Sequence, residues 1–210
     1  MNSEDLRLDY RAGGAADAAL PPVSYHVRGL SGPVPGETED VVFLEQVHGS
    51  SVVFDPAGGE EADGMIIPRV RGKSPGIVTA DCLPVFLASS LFLAAFHAGW
   101  RGIAAGITER MMDEFPGHPE MVVLGNCICP ECYRVGEDVR RKVIGTSEEG
   151  HPPGRIDLKR AVLRRMLLSG LPESTMVLGI PECTMCRKDL FFSYRRDETT
   201  GRNLQWLSAD

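Results

Sequence analysis

The sequence predicts a single α+β domain, and three observations lead there. Its 210 residues, 43% of them apolar, suffice to bury one substantial core and require no second domain. Short apolar runs of strand-like composition alternate with a few segments of helical periodicity, and no repeat or low-complexity tract interrupts them. The apolar runs suit sheets covered by helices, which favours a layered arrangement over a βαβ-wound one.

Residues 1–22 are expected to be poorly ordered, with order beginning near Val23, so that 23–210 form the one domain. Gly32 to Asp40, rich in Pro, Gly and acidic residues, is expected as an exposed loop. Val41 to Gln46, Ser51 to Phe54 and Gly76 to Ala80 are predicted strands, the last β-branched and bounded by Gly and Pro. Leu83 to Ala88 and Leu91 to Phe96 are a predicted pair joined at Ser89-Ser90, antiparallel if that turn is tight. From Ile103 to Phe115 apolar residues recur at helical spacing, so a helix follows the Gly99-Trp100-Arg101-Gly102 turn. Met121 to Leu124 is a strand, Gly136 to Ile144 a short helix, and Leu158 to Leu168 a longer one with Asp157 as N-cap and Gly170 as C-cap. Met176 to Ile180 and Leu190 to Tyr194 complete the predicted strands.

The net charge of −7, with Lys and Arg scattered rather than clustered, argues against a sequence-independent grip on nucleic acid or on a membrane surface. No stretch approaches the roughly 18 uninterrupted apolar residues of a membrane span. The segment from Met1 to Leu20 carries Glu4, Asp5, Asp9 and Asp17 and lacks an apolar core after a basic start, so the chain is expected to be cytoplasmic. In that compartment six cysteines are expected as thiols or metal ligands rather than disulfides. Two C-x-x-C pairs occur, Cys129 with Cys132 and Cys183 with Cys186, and Cys127 precedes the first. About fifty residues separate the pairs, against the roughly 15–20 of compact zinc ribbons. Packed free thiols are therefore the expectation there, with structural zinc as the alternative.

Histidine and cysteine also fall where predicted strands end. His48 closes Glu45-Gln46-Val47-His48-Gly49, His97 opens His97-Ala98-Gly99-Trp100-Arg101-Gly102, and Cys82 lies in the break Thr79-Ala80-Asp81-Cys82-Leu83-Pro84. Two imidazoles and a thiolate with an open fourth position make a catalytic zinc arrangement. The same residues also suit hydrogen-bonded strand ends and core packing, and spacing alone leaves both readings open. Strand alternation points Asp81 away from Cys82, as a structural acceptor rather than a general base.

Several of these words, in this order, resemble the laccase-domain family, also called the polyphenol oxidase or YfiH-like family. They are Gln46-Val47-His48-Gly49, Ala62-Asp63-Gly64, Thr79 to Pro84, and Ala95 to Gly102. Further matches are Gly125 to Gly136, Asp157-Leu158, and Cys183 through Phe191 to Arg196 and on to Thr200-Gly201-Arg202. The resemblance implies one α+β domain of α/β/β/α layers and one zinc ion held by His48, Cys82 and His97. It implies a purine nucleoside enzyme that cleaves adenosine, inosine, guanosine or S-methyl-5'-thioadenosine with phosphate, releasing free base and ribose 1-phosphate, and that also deaminates adenosine. In class terms that is a pentosyltransferase and hydrolase whose partners are nucleosides and phosphate, expected as a monomer or small homo-oligomer.

Within that reading Cys82 and Arg101 are the catalytic candidates. Arg101 enters a helix where exposed N–H groups also favour an anion. Arg28, in Val27-Arg28-Gly29, resembles the arginine of the family's N-terminal word, and Asn126 is a further candidate substrate contact. Copper-dependent polyphenol oxidation is the alternative, because a His2Cys set also suits copper. Against it, only His26, His118 and His151 remain to build a multicopper cluster. Two departures stand out. The link from Arg28 to Gln46 is shorter than in usual members, and Gly-Pro-Cys-Ile-Gly-Pro is replaced by Gly125-Asn126-Cys127-Ile128-Cys129-Pro130.

Overall fold

A computed structural model of the chain describes residues 23–33, 35–145 and 151–209, so the expectation for residues 1–22 lies outside the described part. The strands are β1 (Val23–Arg28), β2 (Val41–Val42), β3 (Val52–Phe54), β4 (Gly64–Pro68), β5 (Ser74–Thr79), β6 (Leu83–Ala88), β7 (Phe92–Ala98), β8 (Met121–Leu124), β9 (Met176–Gly179) and β10 (Asn203–Ala209). The helices are α1 (Trp100–Ala105), α2 (Ile107–Glu114), α3 (Glu137–Ile144), α4 (Leu158–Leu168) and α5 (Tyr194–Asp197). No described helix is long and apolar enough to cross a membrane.

Two sheets result, one of four strands in the order β1-β10-β5-β2 and one of six in the order β3-β4-β7-β6-β8-β9. The larger sheet is apolar on both faces, which explains why its strands read as unbroken apolar runs. Along β6, Leu83, Val85 and Leu87 meet the helices while Phe86 and Ala88 meet the smaller sheet. Along β7, Ala94, Phe96 and Ala98 face the helices while Leu93 and Ala95 face the other way. Burying a side chain such as Phe96 to 0% exposure contributes about 1.5–3 kcal/mol. The period of two then turns His97 toward the sheet-to-sheet side.

The mixed α+β expectation holds. The buried apolar residues of α1 to α4 (Ile103, Ile107, Met111, Val143, Ile144, Leu158, Ala161, Val162 and Met166) all join the core on one face of the six-stranded sheet. α5 buries none. Among the described residues the layers are therefore helices, large sheet and small sheet.

Three elements differ from expectation for local reasons. The helix expected from Ile103 to Phe115 is broken into α1 and α2 by Gly106, whose φ of 90° is left-handed and ends the first helix. Leu190 to Tyr194 is not a strand. Its backbone groups are met by turns and side chains instead: the Leu190 and Phe191 amides donate to the Arg187 carbonyl at 3.0 Å, Asn203 pairs both ways with Phe192 at 2.9 Å, and the Arg196 guanidinium donates to the Phe191 carbonyl at 2.9 Å. The strand expected over Val41 to Gln46 is ordered pairing only at β2, followed by an isolated bridge at Glu45. Pairing along β6 and β7 is antiparallel as expected, with Pro84 opposite His97.

Candidate metal centre and its cleft

The strand register assembles the centre. β4 runs antiparallel to β7 with Gly64 opposite Phe96, which brings Asp63 beside His97, and the His97 amide donates to the Asp63 carbonyl at 2.7 Å. The buried Asp63 carboxylate accepts from His97 Nδ1 at 2.8 Å, from the His48 amide at 3.0 Å and from the Gly49 amide at 2.6 Å. One carboxylate thus orients one imidazole and holds the turn carrying the other. His48 takes φ 61°, a left-handed conformation these two hydrogen bonds sustain. Cys82 enters from the residue before β6, whose hairpin with β7 places it against the end of that strand.

The ligand atoms of His48, Cys82 and His97 all lie within 4.8 Å of one another. The two imidazoles stand edge to face, 4.8 Å between centroids at 82°. With Nδ1 of His97 tied to Asp63, its Nε2 faces the cluster, the arrangement by which a carboxylate positions a metal-bound histidine. Gly99 shows how tight the space is. A Cβ there would stand 3.0 Å from Cys82 Sγ and 3.4 Å from His97 Nε2, so its side would fill the cradle between the donors.

The electrostatics of the two imidazoles differ. Burial opposes charge on His97, yet hydrogen bonds to Asp63 and Cys82 outweigh it and raise its pKa to about 9. Burial, reinforced by His97, lowers that of His48, which therefore presents a neutral imidazole at neutral pH. A metal must displace the His97 proton. Release of the His97 proton alone is therefore expected to tighten binding at this triad by up to about tenfold per pH unit as pH rises toward 9. Asp63→Asn removes the charge that holds the proton and orients the ring. It should weaken metal binding by about 10–100-fold and shift that pH dependence downward, as measured by chelator competition at several pH values.

The triad opens into a cavity of about 840 Å³, within the range that buries a small ligand. Arg101, Arg195 and Arg202 reach its lining, as do Tyr133 and Tyr194. The Arg101 guanidinium lies over the Trp100 ring at 4.8 Å and that of Arg195 over Tyr133 at 5.3 Å. Arg195 donates to the Arg134 carbonyl at 2.7 Å, and Arg202 donates to the carbonyls of Thr199 and Gly201 at 3.0 and 2.9 Å. None of the three forms an ion pair among the described residues.

Asp81 is a structural acceptor. From a left-handed φ of 90° its carboxylate takes hydrogen bonds from Thr184 at 2.6 Å, Ser193 at 3.0 Å and the Arg195 amide at 2.7 Å, so it fixes the segment that carries Arg195.

Two candidate substrate contacts lie elsewhere. Arg28 is outside the cavity lining, ion-paired with Glu37 and 5.6 Å over the Trp206 ring. Asn126 is fully buried behind the cleft, accepting from Tyr25 at 2.8 Å and donating to the Glu182 carbonyl at 3.2 Å, while its amide donates to Gln205 at 2.8 Å. That network braces β1, β10 and the loop after β8. Sequence reasoning assigned no role to Asp63, Tyr133 or Arg202. Their only signal was membership in the words Ala62-Asp63-Gly64, Gly125 to Gly136 and Thr200-Gly201-Arg202.

Comparison with known proteins bears on this geometry. Residues 24–210 match the family model described as multi-copper polyphenol oxidoreductase laccase. A protein of Pseudomonas aeruginosa named purine nucleoside phosphorylase is 38% identical over 181 residues, covering 79% of this chain and 73% of that one. Purine nucleoside phosphorylase YfiH of Escherichia coli is 34% identical over 180 residues, covering 79% and 72%. The crystal structure of YlmD from Geobacillus stearothermophilus superposes with a TM-score of 0.69 at 30% identity, covering 82% of this chain and 74% of that one. With its two sheets, its His48, Cys82 and His97 cluster at the end of β7 and a match spanning nearly all its described residues, the chain belongs to the laccase-like, YfiH-type family.

Proposed function

We propose that the chain is a zinc-dependent purine nucleoside enzyme that transfers the ribosyl group of adenosine, inosine, guanosine or S-methyl-5'-thioadenosine from base to phosphate and also deaminates adenosine. The observation that carries this reading is a cluster of two histidines and a cysteine sharing one cavity with Arg101, Arg195 and Arg202, whose guanidinium groups have no carboxylate partner among the described residues. It is supported by the names of the relatives. Zinc at His48, Cys82 and His97, a donor set that fits it, would supply Lewis acidity at one end of the cavity.

The chain's own groups do the rest. Arg101, Arg195 and Arg202 attract and clamp phosphate, although the protein as a whole is acidic. In phosphorolysis a phosphate oxygen forms the new bond to the ribose anomeric carbon as the glycosidic bond breaks, and the bonding pair leaves with the base. Guanidinium groups along the path stabilise the charge being moved. Tyr133 adds an aromatic side chain to the cavity lining, and the Arg195 guanidinium 5.3 Å over its ring restrains it.

Purified protein of known metal content, incubated with adenosine or inosine with and without phosphate and resolved by chromatography, tests the reading. Free base that depends on phosphate is the expected result. Ammonia without base would reduce the reading to deamination. Oxygen uptake with a phenol and no base release would replace it with copper oxidation. The donor set admits copper, but His26 stacks on Trp206 and His151 accepts from the Asp157 amide, so neither contributes to a second imidazole cluster.

A further inference from the structure

The two C-x-x-C pairs, fifty residues apart in sequence, meet in space. β8 and β9 are parallel neighbours, and their pairing continues past both strands. The Ile180 amide donates to the Leu124 carbonyl at 2.9 Å, Cys127 bridges Cys183 in parallel, and the Thr184 amide donates to the Cys127 carbonyl at 3.1 Å. Two loops therefore leave the same sheet end in the same direction, each carrying one pair. The four sulfurs of Cys129, Cys132, Cys183 and Cys186 all lie within 4.8 Å of one another, with Cys132 and Cys186 at 3.5 Å. A tetrahedron of thiolates around zinc has sulfur-to-sulfur edges of about 3.8 Å, from a metal–sulfur bond of about 2.3 Å.

The exposure of these side chains suits metal ligands better than packed thiols. Cysteine acting as a small hydrophobe is buried. Cys127, which stays outside the cluster, fits that description, but Cys186 is exposed and Cys129 and Cys132 are only half-buried. The loops turn tightly around the sulfurs. The amides of Cys132 and Tyr133 both donate to the Cys129 carbonyl at 3.0 Å, and the Arg187 amide donates to that of Cys183 at 3.0 Å. The Cys129 amide points at Cys183 Sγ at 3.2 Å. The Arg196 guanidinium donates to the carbonyls of Thr184 and Met185 at 3.2 and 3.0 Å, placing positive charge beside what would be a doubly negative tetrathiolate.

We infer that Cys129, Cys132, Cys183 and Cys186 bind one zinc ion in a closed tetrathiolate, distinct from the His48, Cys82 and His97 centre. Four sulfur ligands leave no position for substrate, so the ion is structural. It joins the loop bearing Tyr133 to the loop that leads to Ser193 and Arg195, and so fixes one wall of the cavity. The thiols release their protons to solvent on binding.

The test is metal analysis of the full-length protein prepared under reducing, oxygen-free conditions. Two zinc ions per chain are expected, falling to one in Cys132→Ser/Cys186→Ser. Reconstitution with cobalt should give the intense sulfur-to-metal and d–d absorption of an all-sulfur tetrahedral site. That absorption should survive in Cys82→Ala and vanish in the double variant. If the double variant does not fold, the wild-type zinc count and the cobalt spectrum of Cys82→Ala still decide. One zinc per chain with these four cysteines open to alkylation in the native protein would overturn the inference. So would a Cys132–Cys186 disulfide in unreduced peptides, or the visible absorption of an iron–sulfur cluster.

Discussion

Cys82→Ala is expected to give a folded protein that has lost the metal of the cleft and with it about three orders of magnitude or more of nucleoside turnover. A metal acting on charge developed in a transition state contributes several kcal/mol, and about 4 kcal/mol corresponds to roughly a thousandfold in rate. The loss should fall mainly on kcat, because the arginines proposed to hold phosphate are untouched. The fold should survive, since Cys82 sits only half-buried in the break before β6 and belongs to neither core cluster. Steady-state kinetics with nucleoside and phosphate varied, alongside metal analysis and thermal melting, checks all three parts. A variant that binds no cleft metal yet turns over at the wild-type rate would remove the metal from the chemistry.

The second large effect is on stability. Asp81→Ala leaves the hydroxyls of Thr184 and Ser193 and the Arg195 amide without their acceptor. The two hydroxyl-bearing residues are 0% exposed. Stranded buried donors cost about 1–3 kcal/mol each, and alanine tolerates the left-handed backbone of position 81 less well than aspartate does. A loss of about 3–5 kcal/mol is expected, seen as a Tm lower by roughly 10 °C for a chain of this size. Below the new Tm the cleft metal should remain while KM for phosphate rises, because the freed segment carries Arg195 at the mouth of the cavity. Unchanged melting would mean that other contacts hold that segment.

How much of this was written in the sequence depended on how local the determining contacts are. β6 follows the expected bounds because each of its residues is buried, so its apolar run is continuous and stops at the polar Ser89-Ser90 turn. β10 escaped because Asn203 and Gln205 interrupt it with polar side chains, both 0% exposed. Gln205 donates to Thr79 Oγ1 at 2.9 Å and to the Asn126 carbonyl at 3.1 Å. A strand whose inward residues serve a hydrogen-bond network does not look like a strand in an apolar pattern. The broken helix turned on one glycine whose φ the sequence does not reveal. In the cleft, the three candidate ligands stood at strand ends, but their meeting rests on the β6–β7 hairpin and on Asp63, which lies 34 residues from His97. The cysteine pairs were harder still, since parallel strands from distant parts of the chain bring them together.

The register of β4 against β7 has a consequence for how the cleft centre and the cysteine cluster come to exist. Side chains along a strand alternate, so sliding β7 by one residue would swing His97 to the helical face and strand Asp63 alone. That slip would also expel Ala94, Phe96 and Ala98 from the core they fill. The ladder that packs the interior therefore also sets the ligand geometry, and the cleft seat is finished when the core is finished. A metal bound there would arrive late and could leave without unraveling the chain, like a lodger in a built house. The four cysteines sit on loops beyond the sheet, where Cys183 alone belongs to the core and Cys129 and Cys132 only border it, so there the ion would be part of the building.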